Sequence, residues 1–204
     1  MTLGQMRGLR VSLLVLVVVL LSACATREPR PAGAWLQERQ SWFEERDAWT
    51  IDGRVGLSDG ERGGSLAFTW QAAGEEHHIH LRTTTGGRQW RLNFSPGYAL
   101  LEGSDVDRLV ASHPDPIVEE AVGWPIPMQA LAWWIRGLLP PGGGRARFAE
   151  DGTLEGISDP VWQLSYQRFS DVEGQLLPTR LQAESDPYRV RIVIRDWRFG
   201  VEAR

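Results

Sequence analysis

Over most of the chain the apolar side chains recur at every second position, the period that places them on one face of a strand. Trp49, Ile51, Val55 and Leu57 begin the series, and Asp59-Gly60 with Gly63-Gly64 supplies a turn. Leu66, Phe68 and Trp70 line the next strand, and Ile79 and Leu81 continue it. Trp90, Leu92 and Phe94 follow a turn made of Thr83, Thr84, Thr85, Gly86 and Gly87, and Ser95-Pro96-Gly97 turns the chain again into Tyr98 to Leu101. The same period returns late in the chain, in Arg145 to Ala149, Trp162-Leu164-Tyr166 and Thr179 to Glu184. The last strand carries Val190, Ile192 and Ile194 on one face and Arg189, Arg191 and Arg195 on the other.

Three stretches replace this alternation by helical spacing. Ala34 to Asp47 sets Trp35, Leu36, Trp42 and Phe43 among Glu38, Arg39, Glu44 and Glu45, which predicts an amphipathic helix. Asp115-Pro116 opens a second helix through Val122, with Pro116 at the first position, where its missing N–H is tolerated; Pro125 and Pro127 end it. Met128 to Leu138 carries Leu131, Trp134, Ile135 and Leu138 at helical intervals and stops at Pro140-Pro141-Gly142-Gly143-Gly144. Strands with a single apolar face describe an antiparallel sheet that curls around its hydrophobic side, and the two central helices are natural covers for it. No repeat and no break in composition divides residues 49 to 204, so one domain over residues 34–204 is expected.

The N-terminus follows a different logic. Arg7 and Arg10 precede the apolar run Val11 to Leu21, and Leu21-Ser22-Ala23-Cys24 follows. This eleven-residue run falls short of the roughly 20 residues that a spanning helix needs, so residues 1–23 read as a secretory signal. The only cysteine sits where small Ser22 and Ala23 lead up to cleavage, which resembles the bacterial lipobox. That resemblance implies that Cys24 becomes a triacylated N-terminus, held to a membrane without spanning it. Ala25, a residue other than aspartate, implies export to the outer membrane in the sorting systems this resembles. Residues 24–33, with Pro29 and Pro31, then form a short polar tether.

Composition removes several classes of chemistry. All 22 basic residues are arginine, so a P-loop, a Schiff base and a Ser-Lys dyad are excluded. Removal of residues 1–23 takes away two of those arginines and leaves 20 against 26 acids, a net charge of −6, which does not favour nucleic acid. One cysteine excludes an internal disulfide framework and a multi-thiolate zinc site. No Gly-x-Ser-x-Gly elbow is present, and the glycines at 142–144 have no following helix to cradle phosphate, so neither an enzyme nor a cofactor site is indicated. His78 and His80 share a strand face while His77 points away; no third ligand accompanies them, and they read as solvated residues rather than a metal site. The prominent feature is bulk, since all ten tryptophans lie after Cys24. A packed core and an apolar cavity under a helical lid both accommodate that pattern.

A resemblance narrows the choice. Phe68-Thr69-Trp70-Gln71, Leu92-Asn93-Phe94-Ser95-Pro96-Gly97, Gly123-Trp124-Pro125-Ile126-Pro127, Trp134-Ile135-Arg136-Gly137-Leu138 and the late Asp196-Trp197, together with the lipobox, resemble the LolB family of outer-membrane lipoprotein receptors. The resemblance covers nearly the whole mature chain, and its most specific part is the Pro-Ile-Pro to Trp-Ile-x-Gly-Leu stretch. It implies an incomplete antiparallel barrel with helices closing an apolar cavity. It also implies receipt of triacylated lipoproteins from the periplasmic carrier LolA and their deposition in the outer membrane, by a protein expected to be a monomer. Candidate acyl-chain contacts on the strands are then Val55, Leu66, Phe68, Trp70, Leu81, Trp90, Leu92 and Leu164. On the lid they are Trp124, Ile126, Leu131, Trp134 and Ile135. One departure stands out: family members project a large apolar residue from the turn between two central strands, where this chain has Thr85, so delivery at the membrane has to use another surface or a shifted alignment. The rival reading is a lipid-anchored structural or assembly accessory protein with a solid core and no ligand.

Overall fold

The computed structural model describes residues 32–200. The signal segment, Cys24 and most of the tether lie outside the described residues. The described residues form one helix, six strands, two helices and five further strands. These are α1 (Ala32–Glu44), β1 (Ala48–Ser58), β2 (Gly63–Ala73), β3 (Glu76–Thr83), β4 (Gln89–Ser95), β5 (Tyr98–Gly103) and β6 (Val106–Ala111), then α2 (Pro114–Val122) and α3 (Met128–Trp134). The second run comprises β7 (Arg145–Phe148), β8 (Leu154–Ser158), β9 (Gln163–Val172), β10 (Gln175–Ser185) and β11 (Tyr188–Phe199).

All eleven strands belong to one sheet in the order β6-β5-β4-β3-β2-β1-β11-β10-β9-β8-β7. Every pairing is antiparallel, and β1 joins the two meanders through β11. β6 and β7 end the sheet without pairing to one another, so the barrel is unclosed. α2 packs over β5 and β6, at one of the two free edges.

The inner face follows the alternation of the sequence: Ile51 pairs with Trp70, Val55 with Leu66, Phe68 with Leu81, and Ile79 with Leu92. One irregularity lets β11 serve that face along its whole length. Asp52 pairs with Asp196 but Gly53 pairs with Ile194, leaving Arg195 without an opposite residue. This bulge shifts the parity of the strand, so Val190, Ile192 and Ile194 point inward and so does Trp197. Gly53 is required at the bulge, since a Cβ there would run into the Val193 carbonyl and lie 2.7 Å from the Phe68 ring.

Four local outcomes differ from the sequence pattern. α2 starts at Pro114, so Pro116 sits inside its first turn rather than at its first position. α3 is regular only to Trp134; its continuation tightens into a turn in which the Arg136 N–H donates to the Trp133 carbonyl at 3.1 Å, a common way of satisfying the last carbonyls of a helix. Arg39, on the expected polar side of α1, is fully buried in a stripe with Trp35 and Phe43. Its guanidinium donates to the Arg136 carbonyl at 3.0 Å and to the Leu176 carbonyl, and lies 4.5 Å over the Trp35 ring. β6 and β8 were not evident in the pattern, because Val106-Asp107-Arg108 breaks the alternation of one and Gly156 that of the other.

Candidate functional site, an apolar cavity beneath two helices

The inner face is filled on one side and hollow on the other. Around β1, β11 and α1 the rings of Phe43, Trp49, Trp197 and Phe199 pack against one another, with Trp49 to Trp197 at 5.7 Å and Phe43 to Trp197 at 6.0 Å. The Trp197 Nε1–H donates to the Pro178 carbonyl at 3.0 Å, so this plug is polar-satisfied at that ring. Over β7 to β10, Trp134 is fully buried, and its carbonyl accepts the Tyr166 hydroxyl at 2.8 Å. Burial pushes the Tyr166 phenol well above its ordinary value, which keeps it a neutral donor.

Between β1–β5 and the helices lies a cavity of about 320 Å³. Val55, Leu66, Phe68, Trp70, Leu81, Trp90 and Leu92 line it from the strands, and Ile126, Leu131 and Ile135 from the α2–α3 region. The remaining sequence candidates lie elsewhere. Trp124 is buried against Tyr188 at 6.3 Å, Trp134 is fully buried away from the cavity lining, and Leu164 is buried in β9 opposite Ala183 of β10 and Ile157 of β8. Wall residues not singled out from sequence include Leu57, Ile79, Val190 and Ile192, whose inward parity was legible. Others are Val118, Ala121 and Val122, spaced as one face of α2, with Met128 of α3 and Leu101 and Val106 of β5 and β6.

Trp70 marks the boundary between hollow and plug. Its ring lies 5.9 Å from Trp49, and its Nε1–H donates to His77 Nδ1 at 3.1 Å. His77 is stacked on Phe94 at 4.5 Å and points inward from β3. Burial, with smaller contributions from the positive charge of Arg136 and His78, lowers its pKa to about 3, so the imidazole is neutral and free to accept the indole proton. Arg136, packed 4.6 Å from the Trp133 ring and 5.5 Å from Phe43, is itself lowered to about 10 by burial. On the opposite, outer face, His78 meets Asn93 at 2.9 Å and His80 meets Gln89 at 3.3 Å. Among the described residues no group of three or more His, Cys, Asp or Glu converges on a point.

Only three lining side chains are polar, Arg88, Ser104 and Asp105, and they cluster where the β3–β4 and β5–β6 turns meet. The rest is apolar, so the space offers dispersion contacts and exclusion of water rather than directed bonds; this suits aliphatic chains of varied identity. Thr85 lies on the exposed β3–β4 turn beside this end.

An unclosed antiparallel barrel with helices over an apolar hollow is a LolA-type fold. It is similar to a LolA superfamily protein from Nitrosomonas europaea, with a TM-score of 0.54 at 8% identity, covering 85% of this chain and 96% of that one. It is also similar to a DUF1329 family protein from Desulfovibrio piger, with a TM-score of 0.50 at 11% identity, covering 87% and 95%. The family model described as outer membrane lipoprotein LolB matches residues 47–197. Relatives bearing the name outer-membrane lipoprotein LolB include one from Alkalilimnicola ehrlichii, 34% identical over 94% of this chain and 98% of its own. Another, from Ectopseudomonas mendocina, is 31% identical over 93% and 96%. The chain belongs to the LolB family of outer-membrane lipoproteins.

Proposed function

We propose that this protein, a single domain anchored to the periplasmic face of the outer membrane by lipid on Cys24, receives triacylated lipoproteins from the carrier LolA and passes them into that membrane as a monomer. The observation that carries this reading is the apolar hollow. An acyl chain crossing water loses about 25 cal/mol for every Å² of apolar surface it exposes, so transit requires a protein wall. The cavity of about 320 Å³ offers such a wall to acyl segments. No nucleotide is needed if affinity rises from carrier to receptor to bilayer. Thr85 offers no membrane-inserting side chain, so delivery relies on another part of the surface.

The test is photocrosslinking during transfer from loaded carrier. A benzophenone residue replacing Trp70, in the cavity wall, is expected to crosslink the lipoprotein's acyl chains, whereas the same residue replacing Trp134 is not. Leu131→Glu should abolish receipt by placing a carboxylate among the tails, once circular dichroism has shown the variant folded. No transfer and no crosslink at position 70 would instead favour a structural accessory role.

A further inference from the structure

The three polar lining residues are placed by the fold at one end of an otherwise apolar cavity. Gly103 allows the approach: its φ is +154°, and a Cβ there would lie 2.6 Å from the Trp90 backbone. The turn that follows is stitched to β4 by three bonds. The Ser104 N–H donates to the Gln89 carbonyl at 2.9 Å, the Gln89 N–H donates to Ser104 Oγ at 3.0 Å, and the Trp90 Nε1–H donates to the Ser104 carbonyl at 2.8 Å. Asp105 comes next in the left-handed region, at φ +58°, and its carboxylate meets the Arg88 guanidinium at 2.5 Å. Arg88 in turn lies 5.5 Å from the centre of the Trp90 ring, a wall residue of the cavity. A donor and an acceptor are thus held side by side at the edge of a space that otherwise offers neither.

We infer that Arg88 and Asp105 form a polar collar that reads the neutral ester and amide linkages at which acyl chains join an acylated cysteine. The inference rests on the receptor reading above and deepens it. The guanidinium supplies hydrogen-bond donors to carbonyl oxygens, the carboxylate accepts an amide N–H, and the tails continue into the hollow. The two charges cancel, which suits a neutral linkage; a phosphate head would gain Arg88 but meet Asp105. Both side chains are more than half exposed, so the ion pair between them is weak and exchanges readily for a ligand. The collar also explains how the site tolerates diverse cargoes, since the linkage is common to all of them while the peptide is not.

The test uses the full-length chain with four probes: a triacyl lipopeptide, its analogue with alkyl ethers replacing the esters, its analogue methylated at the amide nitrogen, and phosphatidylglycerol. The lipopeptide is expected to bind about tenfold more tightly than its ether analogue, as a charge-assisted hydrogen bond in a half-exposed site gives. Arg88→Gln should lower lipopeptide binding by about that factor and leave the ether analogue unchanged. Asp105→Ala should weaken the lipopeptide but not an analogue whose amide nitrogen is methylated. Equal binding of lipopeptide and ether analogue by the wild type, or an equal loss of both in Arg88→Gln, overturns the collar while leaving the receptor reading intact. An Arg88→Gln effect confined to phosphatidylglycerol also overturns it, in favour of a phosphate site. Failure of the wild type to bind any acylated probe removes the receptor reading itself.

Discussion

The two sides of the barrel interior are built from the same alternating strands yet end differently. Beneath α1, Trp35, Arg39 and Phe43 project down and meet Phe169, Leu176 and Trp197, so the space is occupied. Beneath α2 and α3 the covering residues are shorter, Val118, Ala121, Met128 and Leu131 among them, and they stop before the sheet. The filled side gives the fold its rigidity, and the empty side keeps apolar surface available. Stability and function are therefore carried by different residues of one continuous inner face.

This division makes substitutions behave in opposite ways on the two sides. The largest effect is expected at Trp49, which is 1% exposed in the plug: Trp49→Ala should lower the unfolding free energy by about 3–5 kcal/mol in denaturant titration. Next comes acid. Unfolded, His77 takes a proton below about pH 6.5, whereas folded it stays neutral down to about pH 3. Its contribution is thus complete above pH 6.5 and is lost progressively as the pH falls toward 3, by about 2 kcal/mol at pH 5. A His77→Phe variant should lack that part of the acid sensitivity, seen as a smaller fall of the midpoint between pH 7 and pH 5. Tyr166→Phe removes one of the two hydrogen bonds to the Trp134 carbonyl, which keeps the Gly137 N–H at 2.9 Å, and is expected to lose about 1 kcal/mol. At the small end stands Val55→Phe on the hollow side, where extra volume enters empty space. The midpoint should shift by under about 1 kcal/mol while uptake of an acyl probe, followed by fluorescence, falls sharply. If Val55→Phe destabilised as much as Trp49→Ala, the distinction between the two sides would be lost.

Which faces are dry was legible in the sequence, and how full they are was not. Leu66, Phe68, Trp70, Leu81 and Leu92 share an inner face by parity alone, and the sheet places them there. Parity does not report volume, so it could not separate Leu164, packed among β8 to β10, from Leu92 at the edge of open space. Helical spacing grouped Trp134 with Leu131 and Ile135, but the tryptophan is buried without lining the cavity whereas Leu131 and Ile135 line it. Arg39 was misread as a surface residue because the carbonyls that hold it belong to Arg136 and Leu176, far away along the chain. No local pattern encodes such partners. The Arg88–Asp105 pair was equally hidden, since it exists only where two separate hairpin turns are brought together.

Gly53 is not itself part of the wall of the hollow, yet the ring of Phe68, which is, rests directly against it. Any larger residue at that bulge would meet this ring as well as the Val193 carbonyl and so displace part of the wall. The shape of the hollow is therefore set in part by a hydrogen atom on a backbone carbon, at a position that a survey limited to greasy side chains would pass over.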